Sequence, residues 1–229
     1  MASKRQYELI THEQPKSPVS EAYRTLRTNL GFTNMDQDCR CILISSPNPQ
    51  DGKSTTASNL AVVLAQAGNN VLLVDCDLRK PVQHKIFGIP NQKGLTNCLL
   101  QKLPVEEVAY NGKVDNLSVL PSGPIPPNPA EILNSNQTRR FWQVLLESYD
   151  YVLIDGPPIL AVADSSILSN QVDGVILVIR SNITRIDLAK EAKEQLLKAN
   201  ARLIGVVIND FDITSKYYQY YYYYGTVDD

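Results

Sequence analysis

No run of this sequence is both long enough and apolar enough to cross a membrane. The longest uncharged stretch, Thr55 to Val74, is broken by Asn59, Gln66, Gly68, Asn69 and Asn70, whereas a span needs about 20 predominantly apolar residues. It reads as helix, turn and strand. Residues Met1 to Lys16 are polar and lack the apolar core of a signal peptide. The chain is therefore expected in the cytosol, with any membrane association borrowed from a partner. A charge excess is missing too: the net charge is −2, so no global field recommends nucleic acid or an anionic membrane as a partner. Zinc-ligand spacing is also absent. Cys39, Cys41, Cys76 and Cys98 are the four cysteines, and only His12 and His84 could assist them. Cys39 and Cys41 are expected to share one face of a strand, and all four to be buried reduced thiols.

What is present fits one folded domain over residues 1–229. Single cores stop growing near ~250–300 residues, and 43% hydrophobic with 20% charged residues is ordinary for a globular protein. Six apolar runs recur: Cys41–Ile44, Val71–Val74, Leu117–Leu120, Tyr151–Ile154, Gly174–Ile179 and Leu203–Ile208. They are continuous rather than alternating, which suits strands buried on both faces of a parallel sheet. Segments between them are long enough for crossover helices. Ser54–Ala67 and Arg185–Ala199 carry the helical period, the second with Ile186, Ala189, Ala192, Leu196 and Leu197 on one stripe and Lys190 and Glu194 outside it. The expected fold is α/β, a doubly wound, mostly parallel sheet flanked by helices. Outside it lie an amphipathic helix over about 17–32 and a tail over 217–229. The proline-rich stretch Pro121–Pro129 predicts a loop.

The first apolar run leads into Ser45-Ser-Pro-Asn-Pro-Gln-Asp-Gly-Lys-Ser-Thr-Thr56, and a helix follows. Strand, loop and helix in this order are the context of a phosphate-binding loop. Backbone N–H groups of Gln50, Asp51, Gly52, Lys53, Ser54 and Thr55 would point at the phosphates of ATP. Lys53 would add a point charge, and the Ser54 hydroxyl would reach Mg²⁺. Pro47 stands where the usual pattern has its first glycine.

Two further strand ends are acidic. Val71–Val74 continues into Asp75-Cys76-Asp77-Leu78-Arg79-Lys80, and Tyr151–Ile154 into Asp155-Gly-Pro-Pro158. Ligands of open α/β sheets bind at the C-terminal ends of strands. A carboxylate there can hold Mg²⁺, or accept the proton of an attacking hydroxyl. A helix or turn cap is the plainer use of any one of them.

Four apolar residues followed by Asp75-x-Asp77 resemble the Walker A′ motif of the bacterial tyrosine kinases, which accompanies Walker A and Walker B motifs, as it does here. The resemblance covers nearly the whole chain. Family members show Pro-Gly-Glu-Gly-Lys-Ser-Thr-Thr where this chain has Pro49-Gln50-Asp51-Gly52-Lys53-Ser54-Thr55-Thr56. Leu78–Pro81, Ser122–Glu131 and Asp155–Pro158 are similar to further family signatures. The resemblance implies an ATP- and Mg²⁺-dependent protein-tyrosine kinase of capsule or exopolysaccharide synthesis, related to partition and division-site ATPases. Lys53, Asp75 and Asp77 are its candidate catalytic residues, with Asp75 toward the tyrosine. Ser54, Asp77 and Asp155 are the candidate metal residues, and the division of roles among the three aspartates stays open. Asn209 resembles the adenine-recognising strand end of related ATPases; a capping role is the alternative. The family also implies a membrane adaptor with a cytoplasmic C-terminal segment, and a cognate phosphatase.

Glu21, Arg24 and Arg27 recur every three residues and share a helix face. As surface charges they would be worth a few tenths of a kcal/mol. They also resemble the family's self-association motif, which implies a ring-shaped homo-oligomer. The tail holds seven of the 12 tyrosines: Tyr217, Tyr218, Tyr220, Tyr221, Tyr222, Tyr223 and Tyr224. An aggregation-prone tract or a nucleic-acid stacking platform are alternatives, the second without a basic groove. Exposed phenols near an ATP site read as phosphate acceptors, modified between subunits. The rival to a kinase is a nucleotide-controlled switch of the partition type, which has no need of clustered tyrosines.

Overall fold

The sheet is built around its most apolar strand. Ile42, Leu43 and Ile44 of β1 (Cys41–Ser45) have no exposed surface, and each such side chain stabilises the fold by roughly 1.5–3 kcal/mol. The computed structural model describes residues 9–36 and 38–212. The other strands are β2 (Val71–Asp75), β3 (Tyr110–Asn111), β4 (Leu117–Leu120), β5 (Tyr151–Asp155), β6 (Gly174–Arg180) and β7 (Leu203–Asn209). Their order is β3-β4-β2-β5-β1-β6-β7. Every pairing is parallel except β3 with β4. The doubly wound α/β expectation holds, and the short antiparallel β3 is an addition to it. The four cysteines are free and buried.

Helices cover both faces. They are α1 (Ile10–Glu13), α2 (Pro18–Asp36), α3 (Lys53–Gln66), α4 (Gln83–Phe87), α5 (Leu95–Gln101), α6 (Pro129–Leu133), α7 (Asn136–Ser148), α8 (Asp164–Ser169) and α9 (Ile186–Lys198). Helix α3 is buried along most of its length and joins α1 and α2 on one face. The Thr11 hydroxyl of α1 donates to Asn59 Oδ1 of α3 at 2.8 Å, which docks the N-terminal helices there. The opposite core holds Trp142 of α7 and Ala192 and Leu196 of α9.

Five local expectations are corrected. Cys39 and Cys41 fall in opposite cores, because Cys39 precedes the strand and the period of two does not reach it. In α9, Ile186 is 75% and Leu197 53% exposed. Ile186 is reached from Ala192 by two steps of three, which fall short of the 3.6-residue turn, and Leu197 stands one residue, about 100°, past Leu196, so the stripe centred on Ala192 and Leu196 faces away from both. In β7, Val206 and Ile208 are more than half exposed, since β7 is an edge strand with one face open. Pro129 belongs to α6, where its missing N–H costs nothing at the first helical turn. Helix α2 also runs to Asp36 instead of stopping near residue 32.

The position of β1 sets the site. It pairs with β5 on one side and β6 on the other, so successive crossovers diverge from it. That divergence opens a crevice at the C-terminal ends of the strands.

Candidate functional site

The loop from β1 to α3 is held by its own polar side chains. Asp51 is buried; its Oδ2 accepts the Asn48 N–H at 2.9 Å, and its Oδ1 accepts from the Thr184 hydroxyl at 2.9 Å. Thr184 in turn accepts the Arg180 N–H at 2.7 Å. The loop is thereby tied to the connection after β6. Gln50 has φ +71° and Gly52 φ +102°. A Cβ on Gly52 would lie 1.9 Å from Asn209 Nδ2, so both conformation and space demand glycine there.

Lys53 is the first residue of α3, and its side chain is buried. Its Nζ lies 3.1 Å from Ser54 Oγ, 3.2 Å from Asp77 Oδ2 and 3.5 Å from Asp155 Oδ1. Burial opposes its charge, but Asp155, Asp77 and Asp75 outweigh burial and hold its pKa above the ordinary value. Burial pushes the Asp155 carboxyl up, with Lys53 pulling it back. Burial and the Asp155 charge likewise raise Asp75.

The three aspartates do different things. Asp75 accepts backbone N–H groups: Val82 and Gln83 at 2.9 Å on Oδ2, and Asp77 at 3.3 Å on Oδ1. It organises the turn from β2 into α4. Asp77 lines the open cleft and faces Lys53. Asp155 has one oxygen, Oδ2, that accepts Gln83 Nε2 at 2.8 Å, while buried Oδ1 accepts no hydrogen bond among the described residues.

Two residues that the sequence reading passed over belong here. Gln83 is wholly buried, with its amide between Asp155, the Ser54 carbonyl (3.2 Å) and the Ser58 hydroxyl (2.8 Å). Asp164, buried at the start of α8, grips Arg79 through two bonds of 2.9 and 3.1 Å. That pair clamps the loop after β2 to the loop after β5.

These elements enclose a cleft of about 770 Å³. Lys53, Ser54, Thr55, Asp77, Arg180 and Asn209 are among the residues that line it. Asn209 Nδ2 donates to the Asp51 carbonyl at 3.1 Å. Oxygen donors from one hydroxyl and two carboxylates suit Mg²⁺, and the undonated Asp155 Oδ1 beside Ser54 fits such an ion. Among the described residues no three His, Cys, Asp or Glu side chains form a protein-only metal cluster; Mg²⁺ ordinarily takes one or two carboxylates plus phosphate and water.

The AAA domain family model matches residues 40–212, which begin just before β1 and end beyond β7. The tyrosine-protein kinase YwqD of Bacillus subtilis is 46% identical over 226 residues, 99% of this chain and 94% of its own. The chain belongs to the bacterial tyrosine-protein kinase family. The crystal structure of the chimerical protein CapA2B2 superimposes with a TM-score of 0.85 at 43% identity, covering 89% of each chain. The septum site-determining protein MinD of Pyrococcus horikoshii, solved with Mg-ADP, matches 78% of this chain and 73% of its own with a TM-score of 0.65 and 24% identity. That likeness carries the nucleoside-triphosphatase fold alone.

Of the predicted site residues, Lys53, Ser54, Asp77 and Asp155 meet at one point. Gln50, Gly52, Thr55 and Asn209 line the same cleft. Asp75 and Asp51 adjoin it through loop contacts. Glu21, Arg24 and Arg27 sit apart on α2. Arg24 pairs with Glu21 at 2.8 Å and donates to the Pro15 carbonyl, and Arg27 donates to the Val63 carbonyl at 3.2 Å. The tyrosine cluster, Tyr217 to Tyr224, lies outside the described residues.

Proposed function

We infer that this chain transfers the γ-phosphoryl group of ATP to tyrosine side chains, its own C-terminal cluster first. The carrying observation is Lys53 Nζ set between Asp77 and Asp155 behind a phosphate-binding loop, in a member of a tyrosine-kinase family. Backbone N–H groups from Gln50 to Thr55 and the Lys53 ammonium would hold the β- and γ-phosphates, where their fixed positions stabilise developing charge. Asn209 would recognise the adenine edge. Ser54 and Asp155, with Asp77 beside them, would hold Mg²⁺, whose chemistry is to neutralise the charge on the transferred group.

In the transfer, the tyrosine O–H proton passes to a carboxylate as the phenolic oxygen bonds to the γ-phosphorus. The bond to the bridging oxygen breaks, and ADP leaves with that electron pair. Asp77 is the better-placed acceptor of the proton, because it lines the cleft; its Oδ1 accepts the Lys80 N–H at 3.0 Å and its Oδ2 pairs with Lys53, whereas Asp75 is wholly buried and organises the turn after β2.

The wider reading includes a ring homo-oligomer joined through Glu21, Arg24 and Arg27, so that a tail reaches a neighbour's site. It includes a membrane adaptor that recruits the chain to the inner membrane face through a cytoplasmic C-terminal segment. A phosphatase would reset the tyrosines, and the process served would be capsule or exopolysaccharide synthesis. None of these steps involves nucleic acid.

The test is intact mass spectrometry after dephosphorylation and incubation with ATP, Mg²⁺ and the adaptor segment. Several added phosphates mapping to Tyr217–Tyr224 are expected. ADP formation with no added mass would instead make the chain a nucleotide-controlled switch.

A further inference from the structure

Gln83 joins three parts of the site that arrive from distant strands. Its Nε2 donates to Asp155 Oδ2 at 2.8 Å, at the end of β5. The same nitrogen donates to the Ser54 carbonyl at 3.2 Å, in the first turn of α3. Its Oε1 accepts the Ser58 hydroxyl at 2.8 Å, one turn further along α3. Its backbone N–H donates to Asp75 Oδ2 at 2.9 Å, at the end of β2. The side chain has no exposed surface.

Such a residue is not needed to fill space, for an apolar side chain would do that without the three side-chain contacts. Both ends of the amide are bonded, and its orientation is set by Asp155: an ionised carboxylate only accepts, so it takes the nitrogen and leaves the oxygen toward the Ser58 hydroxyl, which also lies 2.7 Å from the Ser54 carbonyl. With Oδ2 taken by this neutral donor, the Asp155 carboxylate can turn only its Oδ1 toward Lys53 and Ser54. Oδ1 is the atom that accepts no hydrogen bond among the described residues.

We propose that Gln83 is a positioning residue that fixes the Asp155 carboxylate for the metal of the bound nucleotide. It touches neither nucleotide nor metal. It acts as outer-shell partners of metal ligands do, by setting which oxygen is presented and at what angle. Ser58 acts through it in turn. The proposal rests on the Mg²⁺ reading of Ser54 and Asp155, not on phosphate transfer to tyrosine.

The experiment is titration with a fluorescent ADP derivative, with Mg²⁺ and again with excess EDTA, read as the ratio of the two affinities. Gln83→Met keeps the length of the side chain and removes both amide atoms. Its metal-free affinity is expected to stay within about twofold of wild type, while the Mg²⁺ enhancement falls roughly tenfold, the low end for loss of an outer-shell partner. Ser58→Ala leaves Gln83 in place but frees its oxygen, and is expected to lose a smaller part of the same enhancement. It decides the matter should Gln83→Met fail to fold. An unchanged enhancement in the folded variants, or an equal loss with and without Mg²⁺, overturns the proposal. Neither readout requires a kinase assay, so failure here is separable from failure of the tyrosine-kinase reading.

Discussion

Asn209, the last residue of β7, donates its side-chain Nδ2 to the backbone carbonyl of Asp51 at 3.1 Å. The contact passes over Gly52, where a Cβ would approach that nitrogen to 1.9 Å. The edge of the sheet therefore holds the phosphate loop down by its backbone, across a residue that has no side chain.

Gly52→Ala should break this arrangement in two ways. The left-handed backbone costs an ordinary residue about 1–2 kcal/mol, and Asn209 must move. Nucleotide affinity should fall at least tenfold, and the melting temperature by several degrees. A variant that binds and melts as wild type would mean that the loop does not depend on this contact.

Gln50 already occupies left-handed backbone, at φ +71°. Gln50→Gly should relieve that strain, partly offset by about 0.5–1 kcal/mol of extra chain entropy. The expected net gain is below about 1 kcal/mol, seen as a higher denaturant midpoint at unchanged slope. A lower midpoint would show that Gln50 contributes more through its side chain than its backbone costs.

Lys53→Met should abolish phosphate transfer while the protein still folds. It should also melt lower than wild type, because Asp77 and Asp155 lose their shared counter-charge; removing one partner of a buried pair costs roughly 3–5 kcal/mol. Burial already raises the folded-state pKa of Asp155 and Asp75, and loss of the lysine raises them further. Groups raised in this way favour the fold when protonated, and destabilise it as pH climbs through the raised value. The deficit should therefore be smallest near about pH 5 and widen toward about pH 9, as pH climbs through the value of about 7 at which burial already holds Asp75. Melting curves across that interval check it; a deficit independent of pH would remove the carboxylates from the explanation.

Replacing Glu21, Arg24 and Arg27 together by Ala should shift the protein toward monomer in light scattering and slow transfer between subunits. Arg24 and Arg27 also bond to the Pro15 and Val63 carbonyls, so a melting curve belongs beside it. An unchanged mass at matched concentration would leave the three as surface charges.

The four thiols should resist iodoacetamide near pH 8 in the folded protein. They are buried, and burial pushes Cys39 and Cys98 up to about 11, far from the thiolate form that reacts. All four should label in urea. Rapid labelling of a native thiol would place an opening in one of the two cores.

The core of the fold was legible because β1, β2 and β5 are apolar without interruption, which only a sheet covered on both faces allows. The phosphate loop was legible because Gly52-Lys53-Ser54 follows such a strand. Gln83 was not. It opens a helix of five residues, and no spacing marks an amide that reaches both the end of β5 and the first turns of α3; only its place eight residues beyond Asp75 hints at it. Asp164 was hidden for the same reason, since its partner Arg79 lies on the far side of the cleft. The exposure of Val206 and Ile208 was not legible either, because an apolar run does not say whether its strand stands in the middle of a sheet or at its edge.

Strand β1 pairs Cys41 with Val152 on one side and Ile42 with Gly174 on the other. A nascent chain emerging from the ribosome therefore holds its most apolar strand with no neighbour until more than about 100 further residues have been made. Contacts so distant along the chain close slowly, and an unpaired apolar strand is what chaperones shield. Synthesis at about 5–20 residues per second leaves that strand open for several seconds. The sheet that later binds the nucleotide is thus most exposed to misassembly while it is being translated.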